Sequence, residues 1–167
     1  AVLAVAAHVG VPFAQIAHAF DSFLGTGRRS EVMGRAGGVT VINDYAHHPT
    51  AIRVTLDALR DWPGRRAVWA VWQPHTFGRT RALADDFAAS FRAADHVLVT
   101  DVYSVREAHT PGLDAAGMAG MIDHPDAQHT GSLAATAAVL IERVQPGDVL
   151  VLLSAGDAPQ IGQSVLE

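Results

Sequence analysis

The sequence predicts an α/β fold: a doubly wound, mostly parallel, Rossmann-like sheet with helices on both faces, preceded by a short helical segment. Three observations carry that prediction. Apolar runs of strand length alternate with amphipathic stretches of helix length. Two of those runs, residues 66–72 and 149–153, are almost continuously apolar, as strands covered on both faces are. Polar residues that look out of place collect just after the strands, where the carboxyl ends of a parallel sheet face a binding crevice.

The elements follow in order. Residues 1–8, rich in Ala and Val, read as a helix stopped at Gly10. Pro12 opens a second helix at its first turn, with Phe13, Ile16, Ala17, Phe20 and Phe23 or Leu24 on one face. Gly25-Thr26-Gly27-Arg28-Arg29 breaks the pattern and predicts a boundary between residues 1–27 and 28–167. Residues 31–35 and 39–43 read as strands joined in a hairpin through Gly37-Gly38. Pro49 starts a helix carrying Ile52, Leu56 and Leu59 that ends near Gly64. The strand at 66–72 leads to a helix over 80–94, read from Leu83, Phe87 and Phe91, and then to a buried strand at 96–100. A short glycine-weakened helix at 113–122 follows, then one from an N-cap at Ser132 to about Val144. A strand at 149–153 and a helix at 159–166 close the pattern.

Composition narrows the chemistry. The chain has 167 residues, 49% hydrophobic, enough for one domain with a normal core. It has no Cys, which excludes disulfides, Cys-ligated zinc, iron–sulfur clusters and thiol nucleophiles. All 12 basic residues are Arg, so no lysine is present for a Walker-type phosphate loop or a Schiff base. A net charge of -5 speaks against a nucleic-acid partner. No apolar run is long enough to span a membrane, and no secretory leader is visible, so a cytoplasmic protein is expected. Opening on Ala1 without Met suggests a piece of something longer.

Four polar segments stand at strand ends: Asp44-Tyr45-Ala46-His47-His48-Pro49-Thr50, Gln73-Pro74-His75 with Arg79-Thr80-Arg81, Asp101-Val102-Tyr103 running on to Glu107, and Ser154-Ala155-Gly156-Asp157. Their residue types suit an anionic ligand with an amino or hydroxyl handle. Arg79 and Arg81 offer forked donors to carboxylate or phosphate. His47, His48 and His75 exchange protons near neutrality. Asp44 and Asp101 suit a ribose hydroxyl or an ammonium. Structural readings compete: His48 as a helix cap, Asp44 as turn chemistry, Trp69 and Trp72 as core, Arg65 and Arg66 as a solvated turn. His8, His18, His96, His124 and His129 show no partner pattern. A metal held by the histidines with Asp44 or Asp101 is disfavoured, because adjacent histidines rarely face one ion and no i, i+4 His pair occurs.

These motifs, in this order and at comparable spacing, resemble the Mur ligases. The matching segments are D-Y-A-H-H-P-T, Q-P-H followed by R-T-R, D-V-Y-x-x-x-E and S-A-G-D, and Gly25 to Arg29 is similar to the family's joint between central and C-terminal domains. Ser30 and Thr76 depart from the family pattern, as do the pair Phe77-Gly78 and the terminal loop, which reads Leu152-Leu153-Ser154-Ala155-Gly156-Asp157 in place of a glycine-led version. The resemblance is strongest to the branch that joins L-alanine to UDP-N-acetylmuramate in peptidoglycan synthesis, using ATP and Mg2+ through an acyl phosphate. It implies that residues 1–27 are the tail of the ATP-binding central domain and 28–167 the C-terminal, amino-acid-binding domain. N-terminal and central domains would then be missing, and the chain alone inactive. It also implies that Arg29 and Asp44 meet the nucleotide, that Tyr45, His47, His75 and Arg79 line the amino-acid pocket, and that His47 and His75 take part in catalysis. Within the family a sister branch that recycles muropeptides ranks second; from other classes, the rivals are a free-standing ligand-binding or regulatory module without chemistry and, third, a His/Asp metal hydrolase.

Overall fold

The computed structural model describes residues 2–23, 25–103 and 114–167. Helices α1 (Val2–His8) and α2 (Phe13–Ser22) lead into a six-stranded sheet. Strands β1 (Glu31–Ala36) and β2 (Val39–Asp44) form the predicted hairpin, paired antiparallel. Gly37 and Gly38 both have positive φ (55° and 81°), the backbone that a two-residue type I′ turn demands and that Gly adopts freely.

From there strands and helices alternate: α3 (Pro49–Arg60), β3 (Val68–Trp72), α4 (Phe77–Ala82), α5 (Ala84–Ala88), β4 (His96–Thr100), α6 (Ala115–Met121), β5 (Ala127–Gly131), α7 (Leu133–Arg143), β6 (Val149–Leu153) and α8 (Pro159–Leu166). Sheet order is β1-β2-β6-β3-β4-β5, and every pairing except β1 with β2 is parallel. Strand periodicity of two sorts the core onto two faces. Ile42, Ala70, Trp72, Val97, Val99, Val151 and Leu153 pack with Leu56, Phe87, Phe91 and Met118 on one face. Val41, Val71, Leu98, Leu150 and Leu152 pack with Leu140 and Ile161 on the other. Each fully buried large side chain contributes about 1.5–3 kcal/mol. Trp69 and Trp72 are core, each 2% exposed. The elements after β2 and β3 pack on the first face and α8, after β6, on the second. Chain direction therefore reverses on both sides of β6, which opens crevices at its carboxyl end.

Several expectations need correction. The helix expected over 80–94 is two short helices, with Leu83 at the break (φ -119°, ψ 26°). Arg79 and Arg81 in the last turn of α4 and Asp85 and Asp86 in the first turn of α5 suit two helix dipoles meeting there. Strand β5 has no counterpart in the sequence reading, because Ala127-Gln128-His129-Thr130-Gly131 lies half-exposed at the sheet edge without apolar alternation. On α2 only Ile16 is buried, while Phe13 and Phe23 are 71% and 63% exposed. Leu24, residues 104–107 and residue 113 of the predicted helix lie outside the described residues.

The amino edge of the sheet also differs from expectation. Arg66, read as part of a solvated turn, bonds Asp148 (Nη1 to Oδ1, 2.8 Å), and Arg65 reaches Asp95 at 3.4 Å. Buried Asp148 also accepts from Trp69 Nε1 (2.9 Å) and Gln145 N (2.9 Å). Asp95 accepts from Val68 N at 2.7 Å. Three of the supposedly partnerless histidines have partners: His96 bonds Asp126 and stacks on Trp69, His124 bonds the Ala94 carbonyl, and His129 bonds Asp101. The hydrogen bond from His96 holds the Asp126 carboxyl below the usual aspartate range. Partial burial opposes that shift, and the charges of His96 and Arg143 reinforce it.

Candidate functional site

The site begins at the joint before β1. Arg28 and Ser30 both hold left-handed backbone (φ 57° and 47°), a conformation that costs a non-glycine residue about 1–3 kcal/mol. Short bonds keep it there. Ser30 donates to Asp44 Oδ2 through its amide (2.7 Å) and its hydroxyl (3.1 Å), and Ala46 N donates to Oδ1 (2.8 Å). Tyr45 N donates to the Arg28 carbonyl at 2.8 Å, and Arg28 N to Glu31 Oε2 at 2.7 Å. Asp44, 5% exposed, thus pins the joint to the end of β2. A carboxylate offers about four acceptor directions, so one remains for a further donor.

At the end of β3, Gln73 is 3% exposed and wired to the loop after β6. Its Oε1 accepts from Ser154 Oγ (2.6 Å) and Ala158 N (3.2 Å), and its Nε2 donates to Asp157 Oδ1 (2.6 Å). Gly156 N donates to Ser154 Oγ at 2.7 Å. A Cβ on Gly156 would lie 2.5 Å from Tyr103 Cγ and 2.6 Å from Gln73 Oε1, so only glycine fits beneath that ring. His75 and Tyr103 form a lone parallel bridge, with Tyr103 N donating to Pro74 O at 2.8 Å. Thr76, which follows, has φ 69°, an outlier for a β-branched residue. Ser30 and Thr76, two of the departures from the family pattern, are thus two of the three strained non-glycine positions among the described residues.

Aromatic contacts run across the strand ends. Ring centroids are 5.7 Å apart for Tyr103 and His75, 6.2 Å for His75 and His47, and 5.0 Å for His47 and Tyr45. Arg28 and Arg29 place their guanidinium carbons 5.0 and 5.6 Å from the Tyr45 ring centre, within cation–π range. His47 Nδ1 lies 2.8 Å from the Tyr45 carbonyl. A carbonyl only accepts, so Nδ1 carries the proton and the neutral ring presents its Nε2 lone pair.

Of the predicted site residues, Tyr45, His47 and His75 come together, Asp44 is bonded to Ser30 and Ala46 at the end of β2, and Arg29 lies over the Tyr45 ring. Arg79 sits on α4, half-buried, and its Nη1 is shielded from solvent with no hydrogen-bond partner. Such a buried cationic donor suits a carboxylate or phosphate oxygen. His48 does what its competing reading foresaw and caps α3 by accepting from Thr50 N (3.3 Å). Arg28, Gln73 and Tyr103 are the residues the sequence reading passed over. Arg28 adjoins the chosen Arg29, and the other two stand in motifs already singled out. Among the described residues no three His, Cys, Asp or Glu side chains group closely enough to hold a metal ion. No helix among them is long and apolar enough to cross a membrane.

Residues 28–156 match the family described as Mur ligase, glutamate ligase domain. The UDP-N-acetylmuramate–L-alanine ligase of Roseiflexus sp. (strain RS-1) is 44% identical over 168 residues, covering 100% of this chain and 36% of that protein. The enzyme of the same name from Mycolicibacterium gilvum is 41% identical, covering 98% of this chain and 35% of its own length. The chain therefore spans about a third of the length of the curated relatives it matches. Among solved structures, the UDP-N-acetylmuramate-alanine ligase of Thermotoga maritima superposes with a TM-score of 0.80 at 23% identity, over 98% of this chain and 35% of that one. A murein peptide ligase from Psychrobacter arcticus superposes with a TM-score of 0.69 at 30% identity, over 98% of this chain and 34% of that one.

Proposed function

The chain belongs to the Mur ligase family, and from that premise we propose that it is the closing, amino-acid-binding domain of a cytoplasmic ATP-dependent ligase that joins L-alanine to UDP-N-acetylmuramate. Residues 28–167 would form that domain and residues 1–27 the tail of an ATP-binding central domain. The exposed Phe13 and Phe20 of α2 and Phe23 at its C-cap support a packing partner for that tail. The observation that carries the functional reading is the crevice end of the sheet, where the rings of Tyr45, His47 and His75 come together, and where half-buried Arg79, on the helix after β3, keeps a shielded Nη1 donor without a partner.

In the reaction the muramate carboxylate is activated as an acyl phosphate at the expense of ATP, the alanine amine attacks its carbonyl carbon, and phosphate leaves. This chain's share is positioning and charge. Arg79 takes the alanine carboxylate in a forked pair. His47, with Nε2 free to accept, holds the proton that the amine must lose, and His75 orients the amine beside it. Arg29 meets phosphate charge, and the last acceptor direction of Asp44 suits a ribose hydroxyl. The phosphate cradle would fall to another domain, since this chain has no lysine for a Walker-type phosphate loop, and magnesium would be bound mainly there.

The test uses the full-length ligase that carries this chain. Arg79→Ala is expected to raise the KM for L-alanine more than tenfold and to leave the KM for the UDP-sugar unchanged. An unchanged alanine KM removes Arg79 from the pocket. Ligation by residues 1–167 alone would overturn the division of labour. Likeness to the murein peptide ligase favours one rival, and turnover of a murein peptide in preference to L-alanine would decide for it.

A further inference from the structure

The aromatic contacts and the loop after β6 form a closed circuit, and Arg28 is the member that closes it. From Tyr45 the contacts pass to His47, His75 and Tyr103. Tyr103 rests on the bare backbone of Gly156. The Arg28 guanidinium spans the remaining gap: Nη2 donates to the carbonyls of Ser154 (2.7 Å) and Gly156 (3.1 Å), and the same group lies over Tyr45. Its Nε is buried without a partner, a cost consistent with a side chain held in place for its other contacts. Its backbone is strained and belongs to the joint.

We propose that Arg28 is a positioning residue that couples the joint to the amino-acid pocket, by locking the Ser154–Gly156 turn and Tyr45 into one ring around the crevice. This rests on the pocket assignment above. Arg28 need touch no substrate. A change in the backbone at residues 28–30 moves the guanidinium, and the ring then opens at the two spans that Arg28 supplies, to Tyr45 and to the Ser154–Gly156 turn. The arrangement makes pocket geometry depend on how the joint is turned.

Two measurements test the proposal separately from the ligase reading. In the 1–167 chain, amide hydrogen exchange at residues 154–158 is expected to rise at least tenfold in Arg28→Ala and in Arg28→Lys. Lysine keeps the charge but cannot both lie flat on the ring and reach two carbonyls. Arg53→Ala, an equal loss of charge on the exposed side of α3, should leave that exchange unchanged. Unchanged exchange in Arg28→Lys overturns the latch, whether or not Arg28→Ala folds. In the full-length enzyme, both Arg28 variants are expected to raise the amino-acid KM about tenfold with the nucleotide KM within twofold of wild type. Faster exchange with no change in amino-acid KM would overturn the coupling. A wild-type enzyme that does not ligate L-alanine would overturn the functional reading and leave the exchange result to decide the latch.

Discussion

The two edges of one sheet use similar side chains to opposite ends. At the amino edge, Asp95, Asp126 and Asp148 are met by Arg65, Val68 N, His96, Arg143, Arg66, Trp69 and Gln145 N. At the carboxyl edge the guanidiniums of Arg28 and Arg79 bury donors with no partner, and Arg28, Ser30 and Thr76 hold positive φ. Saturated polar groups fix a structure, whereas unanswered ones and strained backbone mark where the fold has been kept open for something else. A polar cluster in this molecule is therefore read by what it leaves over.

Substitutions can break that contrast. The largest effect is expected from Asp148→Ala, which leaves Trp69 Nε1 buried without an acceptor, removes the acceptor of Gln145 N and the partner of Arg66, and should cost about 3 kcal/mol of stability. Urea unfolding measures it, and a loss below about 1 kcal/mol would mean that saturation at this edge carries little stability. Gly156→Ala should invert the balance: overpacking against Tyr103 costs about 1–3 kcal/mol, while the amino-acid KM of the full-length enzyme rises at least tenfold. A methyl group there that leaves KM untouched would separate the Tyr103 side of the ring from the pocket.

The smallest expected effect is one of pH. The folded state holds Asp126 below its unfolded pKa of about 3.9, so its stabilising contribution is complete above that value and disappears as pH falls through the lower folded one. Because Asp126 is partly exposed, the effect is modest. Asp126→Asn is expected to flatten this acid limb of stability below about pH 4, read from unfolding midpoints across pH. An acid limb identical to wild type would assign the acid sensitivity to other carboxylates.

Much of this was legible because periodicity reports burial. Apolar runs located β3, β4 and β6, the paired glycines located the hairpin, and Pro49 and Ser132 marked two helix starts. Edge strand β5 was invisible because it buries too little to need an apolar pattern. The break at Leu83 was invisible because Leu83, Phe87 and Phe91 keep helical spacing across it. In the candidate site, polar residues at strand ends pointed to His47 and His75, and the family resemblance added Tyr45. Arg28 was not legible, since its partners Ser154 and Gly156 lie 126 and 128 residues away and sequence spacing says nothing about contacts at that range.

The position of β6 also bears on how the molecule is made. It is the latest of the six strands in sequence, yet it lies between β2 and β3 and supplies the parallel partner of each. While a ribosome is still delivering the chain, those two strands have flanks but no centre, and their exposed edges cannot be closed by anything already synthesised. Completion of the sheet waits for pairings between residues distant in the chain, more than a hundred apart for Thr40 with Val149, and closure of such long loops slows folding. Both halves of the crevice are consequently born together, in a single late event, and no earlier partly folded species can present one.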